Sequence, residues 1–154
     1  MRRYAERTAV TADHSIAEIR KVLTRYGASQ FAYMEDPKRA AVAFNANGRN
    51  IRFILPMPTI ADVSKTPKGR SRRGTVATQE LAQEMRRRWR ALMLCIKANL
   101  ETVESGIAEF ETVFMPYMVL PNGKTVAENI LPEIARAYST GKMPKLLSVL
   151  EVEV

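Results

Sequence analysis

The side chains in this sequence best placed for binding chemistry are cations. Lys65-Thr66-Pro67-Lys68-Gly69-Arg70-Ser71-Arg72-Arg73 holds five basic residues in nine positions and no acid. Nucleic-acid phosphates are met by flexible cations, and a glycine- and proline-containing loop lets such cations conform to a strand. A run of this kind also serves as a solvated linker, so both readings stand. A second cluster follows at Arg86-Arg87-Arg88-Trp89-Arg90. Arg86, Arg90 and Lys97 share a helical stripe one position round from the apolar one. They can line a phosphate track, or their stems can cover the edge of a core. Arg52, between Asn50 and Ile54 on a strand, is positioned to join them. The candidate nucleic-acid-binding residues are therefore Lys65, Lys68, Arg70, Arg72, Arg73, Arg86, Arg87, Arg90, Lys97 and Arg52. Trp89 falls on the apolar stripe and is assigned to the core, not to base stacking.

Other chemistries find less support. With one histidine, His14, and one cysteine, Cys95, the chain offers no nucleophile–base pair and no zinc set. Cys95, beside Leu92 and Ile96, is expected to be a small apolar filler. Glu101 and Glu104 share a helix face, but the second acidic pair that a magnesium site on helices requires is absent, so a solvated acidic face is expected. Gly69 and Gly74 lack the strand and spacing of a phosphate-binding loop. No cofactor is expected, and a non-enzymatic role is favoured.

The charge distribution supports the same focus. The chain has 154 residues, 24 Lys+Arg against 16 Asp+Glu and a net charge of +8. Residues 61–97 carry ten basic and three acidic side chains, net +7, whereas residues 98–154 are net −4. Such asymmetry suits an oriented contact with a polyanion. At 46% hydrophobic residues the composition excludes wholesale disorder. No stretch of about twenty apolar residues is present to span a membrane. No apolar run follows the charges of Met1–Arg7, so no secretory signal is expected. A single cysteine fits an intracellular protein.

The elements that must position these residues follow from periodicity and turn chemistry. Residues 3–10 read as a strand. Ser15-Ile16-Ala17-Glu18 matches a capping box, and Ile16, Ile19, Leu23 and Tyr26 predict a helix over 16–26 that stops at Gly27. Strands are predicted over 30–35, 41–45 and 49–55, the last two joined by the hairpin signal Asn47-Gly48. Phe31, Tyr33, Val42, Phe44, Ile51, Phe53 and Leu55 form one large-residue face, which most simply packs on helix 16–26. Ala32, Met34, Ala41, Ala43, Arg52 and Ile54 form the other, with room for a second layer. Residues 56–77 lack apolar periodicity and read as a mobile loop. From Leu81 to Phe114, ten apolar residues recur at spacings of 3 and 4. They predict one helix from Thr78 to about Phe114, with Gly106 as its weak point. Its surplus stripe, Val103 to Phe114, is available to the alanine-rich face or to a second copy, so a homodimer through this helix is expected. Thr125-Val126-Ala127-Glu128 is a second capping box, opening a helix to about Tyr138 with Pro132 inside it. Leu146–Val154 reads as an edge strand. The expected class is α+β: a small antiparallel sheet with one packed helix (β-α-β-β-β), then a long helix and a short helical end. The segments are a sheet module over 1–58, a basic flexible loop over 59–77 and a helical region over 78–154, joined in one integrated domain.

Tyr26-Gly27-Ala28, Ala41-Val42-Ala43-Phe44, Gly48-Arg49 and Arg52-Phe53-Ile54-Leu55-Pro56-Met57-Pro58 carry a likeness: the chain resembles a group of small uncharacterised phage and prophage proteins. The likeness continues in Arg88-Trp89-Arg90-Ala91-Leu92, Ile96-Lys97-Ala98, Leu120-Pro121-Asn122-Gly123 and Gly141-Lys142-Met143-Pro144. These are turn and core motifs and bring no functional residues with them. The resemblance implies a phage-encoded protein in a bacterial cytoplasm. There, nucleic-acid binding in replication, recombination or transcription is the first expectation. A counter-defence or host-modulating protein that binds an acidic host protein or sequesters a small anionic nucleotide is the second, and a structural part of the phage particle the third.

Overall fold

The computed structural model describes residue 5 and residues 7–143. Its α+β core is an antiparallel meander covered on one face by helices. Helix α1 (Ala12–Arg25) is capped by Thr11, whose hydroxyl accepts from the His14 amide at 3.2 Å. The cap thus lies one turn before the expected box, and Ser15 is buried inside the helix. Gly27, at φ +78°, ends the helix in the left-handed conformation that a side chain disfavours. Strands β1 (Ser29–Glu35), β2 (Arg39–Ala46) and β3 (Arg49–Pro56) pair in that order. The β2–β3 register, Ala46 opposite Arg49 through Arg39 opposite Pro56, follows from the two-residue Asn47-Gly48 turn. The strand expected over 3–10 is not found: its described residues are turn and irregular. The observed order opens α-β-β-β.

The short helix α2 (Ile60–Val63) precedes the long helix α3 (Thr75–Glu104), followed by α4 (Phe110–Phe114) and α5 (Val126–Thr140). The long helix breaks at its expected weak point, Gly106, so α3 does not run on to Phe114. The Ile107 amide returns to the Thr102 carbonyl at 3.1 Å, and Gly106 takes φ +67°. The apolar spacing continues across the break because the turn lets Phe110 and Phe114 re-enter the same core. Phe114 is fully buried, with edge-on rings of Phe44 and Phe53 at 6.3 and 6.4 Å and a stacked Phe110 at 4.6 Å.

The predicted large-residue face is the buried one: Val42, Phe44, Ile51 and Phe53 lie in a single core with Ile19, Leu23, Trp89, Met93, Ile96 and Leu100. Its cover differs from expectation. Helix α1 packs chiefly along α3, and both helices close the sheet together. Of the surplus stripe, Phe110 and Phe114 are buried in this core and Val103 packs against it, while Ile107 is exposed. The alanine-rich face stays open, with Met34 and Ile54 exposed. Helix α5 opens on the predicted box, with the Thr125 amide bonded to Glu128 Oε2 at 2.6 Å and the Glu128 amide to Thr125 Oγ1 at 3.2 Å. It contains Pro132, ends at left-handed Gly141 and buries none of its residues. The tail strand expected over 146–154 lies outside the described residues. No described helix is long and apolar enough to cross a membrane.

Candidate nucleic-acid interface

The basic loop folds back on itself as a finger held by turn hydrogen bonds, which apolar periodicity does not report. The Thr66 amide reaches the Arg70 carbonyl and the Gly69 amide the Thr66 carbonyl, each at 2.8 Å; Lys65 bridges Ser71. Gly69 supplies the φ of +78° that closes the tip. The Arg72 amide bonds the Ser64 carbonyl at 2.7 Å. The Arg72 guanidinium then ties the base: Nη1 donates to the carbonyls of Val63 at 3.1 Å and Lys65 at 3.0 Å, and Nη2 lies 3.7 Å from Glu80. Upstream, Asp62 caps α2 by accepting from the Thr59 amide at 2.7 Å, a bond that holds its carboxyl below the usual range. Lys65, Lys68, Arg70 and Arg73 are exposed and have no ion pair among the described residues.

The arginine run on α3 is divided by the helix. On the flank facing β3, Glu84 is nearly buried and gathers two arginines. Arg87 binds it through Nε at 2.8 Å and Nη2 at 2.6 Å, and Arg88 through Nε at 3.0 Å. Arg88 Nη1 also donates to the Pro56 carbonyl at 2.6 Å. On the opposite flank, Arg90 binds Glu18 of α1 at 2.6 Å, and Arg86 binds Gln83 at 2.6 Å. Lys97 is exposed farther along that flank. Arg52, on the open sheet face, binds Glu128 at 2.9 Å. The ten candidate residues thus form three settings. Four are unpaired on the finger and Lys97 is exposed beside α1. Arg72, Arg52, Arg86, Arg87 and Arg90 are engaged within the chain.

Two cations were missed by reading the sequence. Lys21 and Arg25 of α1 line an open groove with Arg90 and Lys97 of α3. Their i, i+4 spacing, beside the apolar stripe of Ile16, Ile19 and Leu23, was the available signal. Cys95 is not the apolar filler expected; it is exposed on the outer side of α3, although partial burial pushes its thiol pKa up. Among the described residues no group of three or more histidine, cysteine, aspartate or glutamate side chains is arranged to hold a metal ion. Trp89 is buried and packs against Tyr33 at 5.5 Å. Comparison with protein-family models, with curated proteins and with solved structures returned no match for this chain.

Proposed function

We propose that this protein binds nucleic acid through the finger, contacting phosphates without reading sequence. The observation that carries the reading is the contrast among its cations. Arg72 is used to hold the finger, and Lys65, Lys68, Arg70 and Arg73 are left without an ion pair along it. An anchored turn loses less conformational entropy on binding than a free linker with the same charges. The resemblance to small phage and prophage proteins supports a setting in phage DNA replication, recombination or transcription in the bacterial cytoplasm.

Fluorescence anisotropy against duplex and single-stranded DNA and RNA over a salt series tests this. If four phosphates are engaged on duplex DNA, log K falls with log salt at a slope of about −3.6. Replacing the four finger cations with glutamine removes most of that slope without changing the melting temperature. Absence of binding at low salt overturns the function. An unchanged slope in the four-residue variant overturns the assignment to the finger.

A further inference from the structure

The groove between α1 and α3, on the flank of α3 that carries Arg86, Arg90 and Lys97, has a volume of about 620 Å³. That is within the size range of small-ligand sites. Val10, Ala17, Val22 and Tyr26 give the groove apolar surface, interleaved along α1 with His14, Glu18, Lys21 and Arg25. Of its carboxylates, Glu18 is engaged by Arg90 at 2.6 Å, while Glu101 lies in the groove and raises the pKa of the Tyr26 hydroxyl. Lys21, Arg25 and Lys97 line the same groove and have no ion pair among the described residues. Even with Glu104, whose field reaches Tyr26, the surroundings hold four cations against three carboxylates.

Apolar surface interleaved with cations that have no ion pair suits a ligand with a flat apolar part and a multiply anionic part. We propose that this groove binds a nucleoside polyphosphate, its base and ribose against the apolar surface of α1 and its phosphates between Lys21 and Lys97. Inorganic polyphosphate would use only the cations, and a free nucleoside only the apolar surface. A single strand of nucleic acid would use the cations but would also continue beyond the groove.

Calorimetric titration of the full chain at low salt separates these cases, with ATP, adenosine, tripolyphosphate and a short single-stranded oligonucleotide as ligands. ATP is expected to bind more tightly than adenosine or tripolyphosphate. Lys21→Ala and Lys97→Ala each weaken ATP binding by about fivefold, as for an exposed charge pair. Lys68→Ala, on the finger, leaves it unchanged. Both groove lysines are exposed, so these variants fold, and circular dichroism verifies it. The proposal is overturned if ATP gives no saturable heat, or if tripolyphosphate binds as tightly as ATP. It is also overturned if the oligonucleotide displaces ATP and is itself weakened by the same two substitutions.

Discussion

Glu84→Gln tests whether the arginines beside Glu84 are structural or free to meet phosphate. The Glu84 side chain is 8% exposed, and Arg87 and Arg88 are 17% and 23% exposed. Three guanidinium nitrogen contacts within 3.0 Å converge on its carboxylate. Glutamine keeps the shape but loses the charge, and it turns an amide donor toward donors. Removing one partner of a fully buried pair costs about 3–5 kcal/mol, whereas an exposed pair is worth about 0–1 kcal/mol. Because water still reaches both guanidinium groups, the expected cost is about 2–3 kcal/mol. In a chain of this length that lowers the melting temperature by about 4–12 °C. Thermal denaturation by circular dichroism measures it. Arg87→Gln should also lower the melting temperature, yet leave the salt dependence of nucleic-acid binding unchanged. A Glu84→Gln melting temperature within about 1 °C of wild type would refute the structural reading. So would a loss of about 0.9 from the duplex-DNA salt slope in Arg87→Gln, the signature of a phosphate contact.

Two further outcomes follow from local geometry. The Thr125 amide and hydroxyl, and then Arg52, hold the Glu128 carboxyl below its ordinary value of 4.5. Its folded pKa lies below the unfolded one, so its stabilisation is present above about pH 5 and is lost as pH falls through the folded value. Glu128→Gln should therefore melt lower than wild type at neutral pH and converge with it in acid; parallel curves in a pH series of thermal melts would contradict this. Gly106→Ala forces a side chain into φ +67° at the end of α3, with no contact to compensate. It should cost about 1–2 kcal/mol in urea denaturation, and no loss would mean that the α3–α4 turn is not needed.

Much of the fold is legible in the chain because its causes are local. Asn47-Gly48 determines a hairpin and with it the β2–β3 register. Thr125 and Glu128 lie one turn apart and cap α5 by themselves. The alternation of large and small residues in the strands assigns the buried face, since side chains one residue apart must point to opposite sides of a sheet. The band of positive charge over 61–97 is likewise a property of sequence alone.

What required tertiary structure was partnership. Spacing alone could not distinguish one helix from two, because Phe110 and Phe114 keep the apolar rhythm of α3 after the chain has turned at Gly106. Nor does the sequence say which helix covers the sheet, since α1 and α3 both present apolar stripes. The basic residues show the difference most clearly. In the sequence, Arg72, Arg73, Arg87 and Arg90 are equivalent cations. In the fold, the Val63 and Lys65 carbonyls take Arg72, Glu84 takes Arg87 and Glu18 takes Arg90, while Arg73 stays exposed. Glu18 lies 72 residues from the arginine it neutralises, so only folding brings the two within hydrogen-bond range. Charge is a local quantity, but its availability to a ligand depends on which opposite charges the fold has already brought to it.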